Sequence, residues 1–321
     1  MDVTSLDTVG LSISRRESRG HERGNALHSR AARGELVRLR RGVYADSGAW
    51  SEASPSGRYA ALLLAAAETR SFTPVFSHVS AAFIWGLPII GRWPPEAHLM
   101  SLGQRGLHSK NGVVWHHDKI SADDVTEFRG LLVTTLERTL LDVAKTGPFV
   151  SAVTSIDFAT KRTLALPDGT TAPGVAKGAL LERLRRDGPR RGSAVARDAI
   201  EFSDARSGSP GESLSRVQIH LLGFPPPQLQ TAVARPDGGT DYPDFEWDDV
   251  FGEFDGYAKY TRDEYTSGRD MAEIVWAEKL REDRLRSTGK RVCRWTWEVA
   301  RSPSALEARL QAAGLSPIAR R

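Results

Sequence analysis

One cysteine, Cys293, stands in a chain of 321 residues, so no internal disulfide can form and packing and hydrogen bonds must hold the fold. It alternates with Trp295 and Trp297, the period of a strand, which makes a core thiol the plain reading. Long apolar runs are missing too: the longest, residues 60–67, falls far short of the roughly 20 residues that cross a bilayer. The amino terminus has no basic-then-apolar signal pattern. These absences predict a cytoplasmic protein with no membrane partner. A large net charge is also lacking: the formal value of +4 is modest for this length, so only local clustering can point to a nucleic-acid partner.

What is present is an ordinary globular composition, 40% hydrophobic and 26% charged. A domain usually takes roughly 100–200 residues, which predicts more than one here. The stretch Ser203 to Gly211 is small, polar and poor in helix formers, and reads as a boundary. The expected organisation is a multidomain α+β chain: a helix-and-hairpin module over 1–56, a mixed unit over 57–202 and an αβββαβ unit over 203–321.

Positive charge concentrates between residues 15 and 41, where Arg15, Arg16, Arg19, Arg23, Arg30, Arg33, Arg38, Arg40 and Arg41 face only Glu17, Glu22 and Glu35. Residues 25–33 read as a short helix stopped by Gly34, and 36–44 as two strands turning near Arg41-Gly42. A helix followed by a basic hairpin is a winged-helix ending. Strand alternation predicts Arg38 and Arg40 on one face, opposite Val37 and Leu39. Such a helix fits a major groove while Arg30, Arg33, Arg38, Arg40 and Arg41 serve as nucleic-acid-binding residues, the hairpin arginines meeting phosphates. A solvated arginine face is the alternative.

In the middle unit, residues 58–70, 77–85, 136–145, 151–163 and 178–186 read as helices, and 113–117 and 131–134 as strands. His116-His117-Asp118 reads as surface or hairpin, since adjacent strand residues point to opposite faces and share a metal poorly. His78 and Trp85 lie two helical turns apart, which suits core packing or a cap. Arg138 and Asp142, spaced i, i+4, read as a surface ion pair worth a few tenths of a kcal/mol.

Past the boundary, a helix over 212–222, strands over 228–234, 242–247 and 250–256, a helix over 270–287 and a strand over 291–298 are expected. If Asp248-Asp249 is a two-residue turn, Trp247 pairs with Val250, and counting outward sets Asp244 opposite Glu253. Glu246 and Asp255 then flank them on the same face. Opposed like charges destabilise a strand pair, so the face asks for a cation or for open solvent. Mg2+ suits hard oxygen ligands, and Asp244 and Glu253 are the expected metal ligands. The alternatives are an exposed acidic edge without metal and a nuclease fold that has lost activity.

Two resemblances add to these readings. The stretch from Arg33 to Tyr44, together with His78 to Pro88 and Thr134 to Asp142, closely resembles the AbiEi-type antitoxins of type IV toxin–antitoxin systems over about residues 30–160. That resemblance implies a winged-helix repressor that binds double-stranded DNA, and a nucleotidyltransferase-like toxin as partner. Pro243-Asp244 followed by Glu253-Phe254-Asp255 resembles the PD-(D/E)XK nuclease signature, with Glu212 matching the acidic residue of the preceding helix. Residues 209–300 resemble the very-short-patch-repair-like nuclease domains of that class. The implied catalytic set is Asp244, Glu253, Asp255, Lys259 and Glu212, with Asp255 standing where the lysine of the signature belongs and Lys259 as its substitute. Transcriptional regulation is therefore the leading expectation, and Mg2+-dependent endonuclease activity and toxin neutralisation are the alternatives.

Overall fold

The computed structural model describes residues 11–13, 22–103, 107–256 and 271–318. The chain is mixed α+β, built on several small sheets rather than one large one. It divides into two compact units, residues 1–202 and 203–321. No helix among the described residues is long and apolar enough to cross a membrane.

Unit 1 begins with strand β1 (Leu11–Ile13), helix α1 (Glu22–Ala32) and the hairpin β2 (Leu36–Arg40) and β3 (Val43–Asp46), whose three strands lie in the order β1-β3-β2. Gly34, at φ 78°, supplies the left-handed residue that ends α1. Leu27, Leu36 and Tyr44 pack between the helix and one sheet face, and Ala45 and Leu39 pack on the other. The hairpin is bulged between Arg38 and Arg40, so that Arg38 pairs with Tyr44 and Arg40 with Val43. Tyr44 and Val43 are adjacent and point to opposite faces, so Arg38 and Arg40 do as well. This corrects the expectation that strand alternation would put both on one face.

Short α2 (Ser47–Glu52) leads into α3 (Pro55–Glu68), capped by Ser54, whose hydroxyl accepts from the Gly57 N–H. A second sheet of order β6-β5-β4-β8-β7 follows, from β4 (Val75–Phe76), β5 (Ala97–Met100), β6 (Val113–His116), β7 (Val125–Phe128) and β8 (Leu131–Thr134). Helix α4 (His78–Ile84) runs directly out of β4, and α5 (Leu136–Thr146) directly out of β8. Tyr59, Phe76, Phe83, Leu99 and Val133 form the core beneath α3 and α4. Helices α6 (Phe149–Ala159), α7 (Lys177–Asp187) and α8 (Ser193–Phe202) complete the unit, with the small hairpin β9 (Thr163–Ala165) and β10 (Thr171–Pro173) between α6 and α7. That hairpin takes the last residues expected in the 151–163 helix.

The Arg138–Asp142 pair does not lie on the surface. Both side chains are about 5% exposed, with Arg138 Nε 2.8 Å from Asp142 Oδ1 and Arg138 also near Asp124. Asp124 in turn receives Arg183 at 2.7 Å. The i, i+4 spacing carries no sign of the 119–124 loop, whose Lys119 carbonyl and Asp124 side chain close on Arg138.

Unit 2 begins with α9 (Pro210–Leu221), capped by Ser209. Its sheet has the order β11-β14-β15-β16, from β11 (Gln228–Leu229), β14 (Phe245–Glu246), β15 (Val250–Asp255) and β16 (Arg291–Thr296). The first three are antiparallel and β16 runs parallel to β15 through the crossover helix α10 (Met271–Ser287). The strand expected over 228–234 is broken: its second half, β12 (Val233–Ala234), leaves the sheet to pair with β13 (Thr240–Asp241). Trp297 likewise leaves the strand pattern, opening α11 (Trp297–Arg301), which is followed by α12 (Pro303–Ala312).

Two glycines set the layer spacing in unit 2. A Cβ on Gly211 would lie 2.0 Å from the Phe254 ring, and one on Gly252 would lie 2.7 Å from Trp295. The missing side chains let α9 lie against β15 and let the Phe245, Trp247 and Trp295 rings close over it. We expect Gly211→Ala and Gly252→Ala each to cost about 1–3 kcal/mol by overpacking. Gly178→Ala, at a helical position whose Cβ meets nothing within 4 Å, is the control and should be neutral or slightly stabilising. Urea denaturation followed by tryptophan fluorescence separates these outcomes.

Candidate functional site

The acidic face of unit 2 follows from one turn. Trp247 N–H donates to the Val250 carbonyl at 2.9 Å across Asp248-Asp249, and Phe245 pairs with Gly252. The same register sets Asp244 against Glu253, as the two-residue turn requires. Phe245, Gly252 and Phe254 face the aromatic side of the sheet, so Asp244, Glu246, Glu253 and Asp255 share the other.

Asp244 and Glu253 are both buried, at 9% and 5% exposure, and Glu212 at 6%. Asp244 Oδ2 accepts from the Phe254 backbone N–H at 2.8 Å. Its Oδ1 accepts from Gln230 Nε2 at 3.1 Å, and the same amide nitrogen donates to Glu212 Oε2 at 3.2 Å. Gln230 is thus a bridge between two carboxylates, and it is held at φ 51°, a left-handed conformation uncommon for a residue other than glycine. Glu212 Oε2 also accepts from the Gly208 N–H at 2.7 Å.

Glu253 has a cation of its own. Arg281, reaching down from α10, places its two terminal nitrogens 2.9 Å from the two Glu253 oxygens and donates to the Tyr242 carbonyl as well. One turn further on, Arg284 makes the equivalent fork to Asp241 at 2.7 and 3.0 Å. Glu246 pairs with Lys290. The cation that opposed carboxylates demand is therefore found within the chain, in residues the sequence had not singled out for this face. Spacing held a partial signal, since Arg281 and Arg284 lie i, i+3 on one helix and project together.

Of the expected catalytic set, Asp244, Glu253 and Glu212 come together through this network. Asp255 ends β15 on the same face and is only partly buried. Lys259 lies outside the described residues. By chemistry the carboxylates suit a hard divalent cation, being oxygen donors on one face. Three of the four oxygens of Asp244 and Glu253 accept from side-chain N–H groups and the fourth from a backbone N–H, so any such ion competes with Arg281 and Gln230 for them.

The basic set divides. Arg30 Nε and Arg33 Nε both pair with Glu35, at 3.0 and 2.6 Å, which spends their charge locally. Arg38 and Arg41 are exposed, and no carboxylate partner is found for either among the described residues. Arg40 is half-buried and donates weakly to the Gly112 carbonyl at 3.4 Å. Burial, and then the Arg70 charge beside it, lower its pKa. Arg70 itself lies 5.1 Å over the Trp115 ring. Arg70 is a basic residue that the sequence reading missed, brought to Arg40 by the end of α3.

No family model matches the chain, and comparison with curated proteins finds no match. Among solved structures it is similar to one described as the crystal structure of the RV2827C protein from Mycobacterium tuberculosis. The two share 17% identity over 73% of this chain and 87% of that one, with a TM-score of 0.37, and a likeness so distant carries no argument about fold or function.

Burial, and then the neighbouring Asp244 carboxylate, push the Glu253 carboxyl up to about 7 from an ordinary 4.5, against the pull of Arg281. The folded state then holds this proton more tightly than the unfolded chain does. The associated stability is fully present below about pH 4.5 and is lost as pH rises through 7. Replacing Glu253 by Gln removes the titration. We expect thermal melts of the parent to lose more stability between pH 4.5 and 7.5 than those of Glu253→Gln, and identical pH profiles would contradict the assignment.

Proposed function

We propose that the chain is a DNA-binding transcriptional regulator of the AbiEi antitoxin type, whose second unit is a nuclease-type accessory domain. The observation that carries this reading is the amino-terminal hairpin. Helix α1 precedes a two-stranded wing in a β1-β3-β2 sheet, and Arg38 and Arg41 extend from that wing with no carboxylate partner among the described residues. That strand order is the one expected of a winged helix, with α1 in the position of the recognition helix and the wing beside it. Exposed guanidinium groups free of internal acids are suited to phosphate oxygens. Arg30 and Arg33, tied to Glu35, contribute less.

The second reading, Mg2+-dependent phosphodiester hydrolysis, is favoured by the opposed Asp244 and Glu253 on the β14–β15 hairpin, ahead of the crossover helix and β16. These two residues would hold the ion, which when bound would polarise a scissile phosphate and lower the pKa of its water. Gln230, itself held by Glu212, orients Asp244, and Arg281 holds Glu253 in place while opposing the rise in its pKa.

Gel retardation on the DNA upstream of the chain's own gene tests the first reading. The parent should bind at low salt, and the affinity should fall as salt rises. Arg38→Ala with Arg41→Ala should weaken binding to all sequences and reduce the log–log salt slope by about 2, close to one per phosphate contact. No retardation at low salt, or a slope unchanged in the double variant, overturns it. For the second reading, duplex DNA incubated with Mg2+ should be cut by the parent and spared by Glu253→Gln. Intact DNA in both reactions removes the nuclease while leaving the regulator standing.

A further inference from the structure

Three histidines from three elements of unit 1 converge. His78 is the first residue of α4, His98 lies on β5 and His116 ends the neighbouring strand β6. The parallel pairing of β5 with β6 sets Met100 beside His116, and His98 Nδ1 lies 3.0 Å from His116 Nε2. The rings of His78 and His116 stack with centroids 3.4 Å apart. Asp118 follows two residues beyond His116. His78, His116 and Asp118 each offer a ligand atom, all within 4.8 Å of one another.

Several observations distinguish this cluster from ordinary core packing. His78 is 2% exposed and sits at φ 52°, a backbone conformation that persists only where the surroundings over-determine it. Beneath it Asp142, at 3% exposure, has Oδ1 pinned by Arg138 at 2.8 Å, while Oδ2 has no hydrogen bond and lies 3.8 Å from His78 Nδ1. A buried carboxylate oxygen left without a donor costs free energy, and a shift of under about 1 Å would let it accept from His78 Nδ1, which now contacts Ser77 Oγ at 3.0 Å, as in a carboxylate–histidine–metal arrangement. A cavity of about 230 Å³ opens beside His78 and His98, with Arg92, Ile90 and Ser151 on its wall.

We propose that His78, His116 and Asp118 bind one divalent transition-metal ion, Zn2+ by preference, with Asp142 orienting His78 and His98 orienting His116. Two imidazoles and a carboxylate are a donor set that such ions take, whereas Mg2+ and Ca2+ favour oxygen alone. Three protein ligands leave a fourth position for water or a small anion. The stacked rings must splay to admit the ion, and the exposed position of Asp118 gives the third ligand freedom to close on it.

The test uses the full chain, stripped with chelator, dialysed against Zn2+ and assayed for bound metal by mass spectrometry, with affinities from competition against a chromogenic chelator. One Zn2+ per chain is expected. His116→Asn and Asp118→Asn should each weaken binding by at least tenfold, and Asp142→Asn by about 10- to 100-fold through the orientation of His78. Asp118 is exposed, so its variant should retain the parent circular dichroism and serves as the decisive one. His117→Asn, one residue away and exposed, should bind like the parent, as should Glu253→Gln in unit 2. Absence of stoichiometric Zn2+ overturns the proposal. So does binding that survives both His116→Asn and Asp118→Asn, or that disappears with Glu253→Gln.

Discussion

A carboxylate taken out of water must find donors or give up its charge, and in unit 2 this constraint falls on Asp244, Glu253 and Glu212 together. Gln230 meets it for two of them and Arg281 for the third. Each donor arrives from a different part of the chain, so the network ties the loop after β11 and the crossover helix α10 to the β14–β15 hairpin. Removing Arg281 would leave Glu253 buried beside Asp244 without its cation, the kind of loss that costs more than the pair itself contributes. On the opposite, aromatic face of the same sheet, Gly211 and Gly252 let aromatic rings occupy the space their side chains would fill.

Unit 1 meets the same constraint differently. Asp142 and Asp124 are buried, and Arg138 stands between them, with Arg183 closing on Asp124 from α7. Here the donors run short by one. Asp142 keeps an oxygen with no hydrogen bond, and that oxygen faces His78. In unit 2 the donors at Asp244 and Glu253 are supplied from within the chain, whereas around Asp142 the set is incomplete.

How much of this was legible in the sequence depends on the range of each interaction. The acidic face was legible because a two-residue turn fixes register, and register fixes which side chains oppose: Trp247 with Val250 implies Asp244 with Glu253. The partners were not, since Arg281 lies 28 residues from Glu253 and only the crossover helix brings it back. Local patterns failed where tertiary cover or irregular pairing intervened. The bulge at Leu39 turns Arg40 away from Arg38, and nothing in Val37-Arg38-Leu39-Arg40 announces it. Arg138 and Asp142 carry the spacing of a surface pair, and only the surrounding elements make it a buried one. Of His116-His117-Asp118, read as surface or hairpin, His117 and Asp118 are exposed but His116 is half-buried at the end of β6, and its approach to the distant His78 was not visible in the sequence.

The two clusters also differ in the ion each could select. Oxygen donors on one face of a sheet favour small, hard, weakly discriminated cations, whose binding must compete with a guanidinium already bidentate on Glu253. Imidazole donors backed by a carboxylate favour softer transition metals, whose affinity for nitrogen follows the Irving–Williams order. Arg281 carries its own positive charge and is fixed by a third hydrogen bond to the Tyr242 carbonyl, so its displacement costs three hydrogen bonds at once. At His78 no guanidinium is seated on the ring, and the Asp142 Oδ2 facing it has no hydrogen bond, although Arg138 pairs with the other oxygen of Asp142.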